Sequence, residues 1–123
     1  VNLLPYLQGE KSGNPHDALF WRKLEESAVR MGNHKLIRLD RHGSVLYNLS
    51  QDLSEQNDLS AQEPLAKDRL LKALADWEAG MSKPLWIEPQ DWMEVTYHIH
   101  QQLMQNKEAK YKSPAEKTNR SSK

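Results

Sequence analysis

Five histidines are the side chains best suited to acid–base or metal chemistry near neutral pH: His16, His34, His42, His98 and His100. His98 and His100 lie two residues apart, which puts them on one face of a strand but about 200° apart around a helix. Because helix is the favoured interpretation of this segment, we expect the two imidazoles not to share a metal ion. The sequence predicts no metal site in this chain.

The sequence also lacks motifs typical of nucleophilic catalysis and of cofactor binding. The chain has no cysteine, which excludes disulfides, thiolate metal sites and thiol nucleophiles. It contains no glycine-rich phosphate loop, nucleophile elbow or zinc-binding helix motif, and its acidic residues are dispersed. We therefore predict no catalytic residue.

His16 has the best position for contacting a ligand. It follows Asn14 and Pro15 and directly precedes a predicted strand, and binding residues are often found where loops meet a rigid scaffold. His34 and His42 flank another predicted strand at its turns, where plain solvation is the simpler interpretation.

Four tryptophans could stack on sugar rings or fill a core: Trp21, Trp77, Trp86 and Trp92. Hydrophobic residues make up 37% of the chain, which indicates a thin core. We therefore expect the tryptophans to be mainly packing material.

The zero net charge hides an uneven distribution. Residues 105–123 hold six Lys/Arg and two Asp/Glu, whereas the preceding residues hold 11 and 15. Because 105–123 has almost no apolar side chains, we predict a disordered basic tail. The balanced total disfavours nucleic acid as a partner, and no apolar run reaches the roughly 20 residues of a membrane span.

Four short segments rich in apolar and β-forming residues, at 18–21, 27–30, 35–39 and 45–49, are predicted to be strands. Turn residues between them favour an antiparallel meander. A helix is predicted to start at a capping box formed by Ser60 and Glu63 and to stop at Gly80. Residues 89–104 fit a helix or a strand by periodicity, and their length favours a helix.

The predicted class is therefore α+β: a short four-stranded antiparallel sheet packed with one main helix, a second C-terminal helix and the tail. Several short motifs, in order, resemble the carboxy-terminal part of sulfatases of the arylsulfatase type. They are NLLPYL at 2–7, HDALFWR at 16–22, AVRMGNHKLI at 28–37, LYNL at 46–49, DLSEQNDL at 52–59 and KPLW at 83–86. The resemblance covers about residues 1–90. No single motif is specific for the family, but the set of motifs in this order is.

The resemblance implies a sulfuric ester hydrolase whose upstream domain, similar to alkaline phosphatase, holds the chemistry. That domain would contain a formylglycine made in a C/S-x-P-x-R motif, a calcium site, and Lys and His groups around the sulfate. In this chain the only S-x-P of that spacing begins at Ser82 and has Trp86 in the arginine position. Formylglycine and calcium are therefore implied only for the missing catalytic domain.

On this interpretation, residues 1–15 are a linker from the upstream domain, 16–104 the carboxy-terminal subdomain and 105–123 the tail. The fragment alone would be inactive, with its own catalytic domain as partner and a sulfated ester as the parent's substrate. His16, Trp21 and Arg30 are the candidate substrate-binding residues, and the parent would be periplasmic or secreted. The alternative is a free-standing, non-catalytic carbohydrate- or protein-binding module.

Overall fold

The computed structural model describes residues 1–115 and contains a four-stranded antiparallel sheet with three helices. The elements in chain order are α1 (Leu4–Leu7), β1 (Ala18–Lys23), β2 (Glu26–Met31), β3 (His34–Leu39), β4 (Gly43–Asn48), α2 (Pro64–Ala79) and α3 (Gln90–Met104). The predicted α+β class is confirmed, and the segment predicted at 89–104 contains a helix, Gln90–Met104.

The sheet is a meander in which every strand pairs with its neighbour in sequence, in the order β1-β2-β3-β4. Residues 24–25 join β1 to β2, and residues 32–33 join β2 to β3. Leu24 and Gly32, at the first position of these turns, have φ values of 52° and 59°. A positive φ at this position matches the turn to the twist of the strands, and glycine adopts it without strain.

One face of the sheet, here called the core face, packs against α2. Val29, Leu36 and Leu46 alternate onto this face and are completely buried against Leu70 and Leu74. At the margin of this cluster the ring of Phe20 stacks on that of Trp77, with centroids 5.1 Å apart. The apolar stripe predicted for the main helix is therefore the stripe that closes the core.

The opposite face of the sheet, here called the outer face, is only partly covered, by α3. Tyr97 in α3 donates its hydroxyl hydrogen to the Asp40 carbonyl at 3.1 Å, and His100 pairs with Glu26 at 2.8 Å. At the β1 side of the same face, Leu19 and Trp21 are 39% and 49% exposed. The helix therefore leaves an apolar part of the outer face open.

The predicted capping box is wrong. The main helix begins at Pro64, and Glu63 occupies the N-cap position without a side-chain capping bond. Ser60 Oγ instead donates to the Ser44 carbonyl at 3.4 Å, and Glu63 Oε2 lies 2.8 Å from His34 Nε2. Both side chains have tertiary partners on the sheet, and proline supplies the helix start because its φ is already helical.

The expectation that the tryptophans form the core is also wrong for three of them. Only Trp77 packs against the core cluster, whereas Trp21, Trp86 and Trp92 are 49%, 70% and 43% exposed. Leucine and valine side chains of the sheet and α2 fill the core face. The three partly or largely exposed rings belong to β1, to the connection between α2 and α3, and to α3.

The first residues after α3 contact the body of the protein. Asn106 Nδ2 donates to the Gln56 carbonyl and the Lys110 amide donates to Gln102 Oε1, each at 2.7 Å. Residues 116–123 lie outside the described part of the chain, so disorder of the whole 105–123 tail stays a prediction. No helix within the described residues has the length and hydropathy needed to cross a membrane.

Candidate functional site

A small cleft lies where β1 begins and β2 ends. Its volume is about 130 Å³, and its lining includes His16, Asp17, Leu19, Arg30 and Gly32. Leu19 and Arg30 are direct cross-strand partners in the β1–β2 ladder. The hairpin therefore brings two of the three candidate binding residues, His16 and Arg30, into one cleft.

The guanidinium group of Arg30 is held from one side. Its Nε donates to the carbonyl oxygen of Gly32 at 3.1 Å, across the turn that follows β2. Within residues 1–115 no other group hydrogen-bonds to this guanidinium or forms an ion pair with it. Its terminal nitrogens are thus available to a ligand or to another part of a longer protein.

Trp21 lies beside the cleft and does not line it. It is two residues from Leu19 on the same strand and pairs with Ala28, so its ring is on the outer face together with Leu19 and Arg30. About half of its surface is exposed. The candidate residues therefore form a cleft with a cation and an imidazole, flanked by an open aromatic surface.

The side chains of this arrangement are suited to binding. A guanidinium fork matches the oxygens of a sulfate or carboxylate in two parallel hydrogen bonds. An exposed indole offers an apolar face to the ring of a sugar or to another protein surface. Arg30 is therefore suited to an anionic group attached to a larger molecule, although the carboxylate of Asp17 on the same lining would repel such a group.

A second cavity, missed by the sequence analysis, has a volume of about 440 Å³ and lies below the C-terminal end of α3. His100 Nδ1 and Glu26 Oε2 meet at its wall, 2.8 Å apart, with Ile37 and Leu103 nearby. No side chain in the described part of the chain offers a nucleophile hydrogen-bonded to His100. The pair is an anchor between α3 and the sheet, without the third member of a catalytic set.

Tyr47 forms part of the same cavity wall. Burial raises the pKa of its hydroxyl above the ordinary value, and the negative charges of Asp58, Glu55 and Asp52 raise it further. The phenol is therefore neutral over the physiological range.

An ionic network on the core face joins the sheet to the end of α2. Glu78 Oε1 accepts hydrogen bonds from the Ser27 hydroxyl at 2.6 Å and from Arg38 at 2.9 Å. Burial of Glu78 alone would raise its pKa, but these two hydrogen bonds and the charges of Arg38 and Arg22 lower it overall. Alternation along β2 and β3 places Ser27 and Arg38 on the apolar core face. Polar residues on such a face need a polar partner, and this is the signal in the sequence for a residue such as Glu78.

The remaining histidines have structural partners. His34 binds Glu63 at 2.8 Å and is only partly exposed, so plain solvation is the wrong interpretation for it. His42 lies 3.3 Å from the amide of Gln101, and His98 lies 2.7 Å from that of Gln102. The two histidines of α3 therefore have different neighbours.

Calcium and formylglycine, the groups implied by the sulfatase resemblance, do not fit the residues present. Among residues 1–115, no three His, Asp or Glu side chains are grouped so that they could hold a metal ion. The Ser82 segment has an exposed Trp86 where the modification motif needs arginine. No step of sulfate ester hydrolysis is therefore assigned to this chain.

Comparison with known proteins identifies the fold. No protein-family model matches the chain, and no curated protein matches it significantly in sequence. Two crystal structures of Ps i-CgsB, one of them in complex with k-i-k-neocarrahexaose, resemble it with a TM-score of 0.57. The identity is 20%, over 78% of this chain and 22% of the Ps i-CgsB chain.

Ps i-CgsB is a sulfatase, so this chain has a sulfatase-like fold. At this identity the similarity concerns the fold alone. The chain spans about 22% of the length of the structures that it resembles.

Proposed function

We propose that this chain is the carboxy-terminal subdomain of a sulfatase whose catalytic domain precedes it and hydrolyses sulfate esters. The sulfatase-like fold over 78% of the chain is the observation on which the proposal rests. The ordered motifs of residues 1–90 agree with it. Formylglycine and calcium would belong to the preceding domain, because residues 1–115 contain no group of His, Asp or Glu side chains placed to hold a metal ion and the Ser82 segment lacks the arginine of the modification motif.

The subdomain would support the catalytic domain through the connection between α2 and α3. Leu85, Trp86 and Ile87 are consecutive in this connection and are 105%, 70% and 65% exposed. Exposed apolar residues are ordinary one by one, but a contiguous group of this kind marks an interaction surface.

The cleft of His16 and Arg30 would form one edge of the substrate pocket. Arg30 would bind a sulfate or carboxylate group of the substrate through its terminal nitrogens, and His16 would contact the same anion. Trp21 would lie against the body of the substrate. None of the three would act on the scissile bond.

The first test is the coding sequence upstream of Val1. A C/S-x-P-x-R motif there, in a protein that hydrolyses sulfate esters, would support the proposal, and an upstream sequence without that motif would overturn it. In the long protein, Arg30→Ala should raise KM about tenfold or more with little change in kcat, because a charged hydrogen bond is lost. Arg30→Lys should recover part of the affinity.

His16→Ala and Trp21→Ala should raise KM in the same manner. Arg69→Ala, which removes an exposed arginine from α2, is the matched control and should leave both constants unchanged. Unchanged kinetics for all three candidate positions would remove the pocket from the proposal and leave only the supporting role.

A free-standing binding module is the second candidate, and the exposure of Trp21, Trp86 and Trp92 favours it. Such a module should melt cooperatively as a soluble protein that binds no apolar dye. Its tryptophan fluorescence should change on titration with oligosaccharides, sulfated and unsulfated. A chain that binds apolar dye strongly and ignores glycans would contradict this candidate.

A further inference from the structure

The two edges of the sheet are protected very differently. At the β4 edge, the Leu46 amide donates to Asp58 Oδ1 at 3.0 Å and the Leu46 carbonyl accepts from the Leu59 amide at 2.8 Å. The Ser44 carbonyl on the same edge accepts from Ser60. The loop after β4 therefore occupies the free hydrogen-bonding groups of this edge.

The β1 edge has no such cover. Within residues 1–115, the backbone of β1 is hydrogen-bonded only to β2. The strand is six residues long, contains no proline and has no bulge against β2. A bare edge of this length can pair with another strand.

The turn after β1 determines which groups point outward. Because a two-residue turn joins Lys23 to Glu26, these two residues form the hydrogen-bonded pair that closes the hairpin. Alternation then directs the amide and carbonyl groups of Leu19 and Trp21 toward β2. Those of Ala18, Phe20 and Arg22 face away from the sheet.

We propose that β1 pairs in antiparallel orientation with β1 of a second copy of this chain, with the twofold axis at Phe20. The two sheets then form one continuous sheet, with four strands from each copy. About six backbone hydrogen bonds would join them, made by the outward groups of Ala18, Phe20 and Arg22. This inference does not depend on the proposed function, and it assigns Trp21 to a contact between two copies in place of the substrate contact proposed above.

The sequence around β1 is complementary to itself in this register. Lys23, whose ammonium lies 3.2 Å from Glu88 Oε1 of its own chain and is half exposed, lies opposite Asp17 of the second copy. Two pairs of opposite charges would therefore flank the junction. On the outer face, Trp21 meets Leu19 of the second copy, and both side chains are now exposed. Arg22 lies opposite Ala18, which avoids a contact between like charges.

A neighbouring register, with the axis at Trp21, lacks these features. It would put Lys23 opposite Leu19 and two carboxylates, Asp17 and Glu25, opposite each other. Like charges directly opposite destabilise a strand pair. The charge pattern therefore favours the axis at Phe20.

Sedimentation equilibrium of the chain tests the proposal, and the wild type should be a dimer. Asp17→Lys should raise the dimer dissociation constant by about tenfold or more, because it creates two like-charge contacts. Lys23→Asp should raise it as well, but it also removes the ion pair of Lys23 with Glu88. The double variant Asp17→Lys/Lys23→Asp should therefore recover the wild-type value only in part. Asp68→Lys, the same charge change on an exposed part of α2, should have no effect.

Disulfide formation tests the register of the strand pair. Because the chain has no native cysteine, only the introduced thiols can form a disulfide. Leu19→Cys protein mixed with Trp21→Cys protein should cross-link under oxidation much faster than either protein alone, because only the mixture puts the two thiols directly opposite. A monomeric wild type, a dimer unaffected by the charge variants, or equal cross-linking in all three samples would overturn the proposal.

Discussion

Ser27 in β2 donates its hydroxyl hydrogen to Glu78 in α2 across 2.6 Å, although the two residues are 51 positions apart in sequence. Arg38 donates to the same carboxylate oxygen from β3. A single carboxylate thus connects two strands to the end of the main helix.

Replacing Glu78 by alanine should lower the free energy of unfolding by about 1–3 kcal/mol, because Ser27 and Arg38 would lose a half-buried acceptor. Urea denaturation measures the change. Asp76→Ala is the control, since Asp76 pairs with Lys72 on the exposed side of the same helix and should cost at most about 0.5 kcal/mol. Equal losses in the two variants would contradict the special role of Glu78.

The stability of the chain should fall in acid because Glu78 and Asp58 have lowered pKa values in the folded state. For Asp58, burial raises the pKa, but hydrogen bonds from the Leu46 amide and from Ser60, with the charge of Lys67, lower it overall. A carboxyl with a lowered folded pKa binds fewer protons folded than unfolded. Its contribution is therefore present above the unfolded pKa, about 4, and is lost as pH falls through the folded value.

Urea midpoints measured between neutral pH and about pH 2 test this dependence. Glu78→Gln should flatten the acid limb of the curve. The raised pKa of Tyr47 has the opposite sign, so its contribution should be lost as pH rises above about 10. Tyr47→Phe should reduce that alkaline loss.

Two leucines on α2 should respond very differently to truncation. Leu70 is completely buried against the sheet, and Leu70→Ala should cost about 2–5 kcal/mol because it leaves a cavity. Leu65 is 84% exposed, and Leu65→Ala should change stability by less than about 0.5 kcal/mol. Thermal denaturation of the pair provides the comparison, and similar melting temperatures would contradict the packing described for α2.

The tryptophans should divide in the same way. Trp77→Ala removes the ring stacked on Phe20 and should cost about 2–4 kcal/mol. Trp86→Ala removes a 70% exposed ring and should leave the stability of the isolated chain nearly unchanged. Acrylamide should quench the fluorescence of the wild type more strongly than that of the Trp86→Ala variant, because the substitution removes an accessible indole.

The strands could be predicted because their signals are local. Gly32 and Asn33 make a turn between two predicted strands. His16 and Arg30 can be singled out from the sequence because they lie at strand edges in motifs that resemble sulfatases. The turn at Leu24 and Glu25, which pairs Leu19 with Arg30, has no such local signal. The volume of their cleft and the bond from Arg30 to Gly32 depend on side-chain conformation, which the sequence does not contain.

Contacts between distant parts of the chain could not be predicted. Alternation puts Ser27 and Arg38 on the core face, but nothing in the sequence identifies Glu78 as their partner. The exposure of Trp21 likewise depends on the path of α3 across the outer face. Ser60 and Glu63 fit a local capping rule, and tertiary partners on β3 and β4 overrode it.

The consecutive order of the strands also has a kinetic consequence. Each hairpin of the meander closes a turn of only two or three residues, so the sheet can zip up from local contacts with little loop-closure entropy. Water is excluded from the core face only when α2 packs against it. The other long helix, α3, has a single buried residue, Val95. Amide hydrogens of α3 should therefore exchange with solvent well before those of β2 and β3.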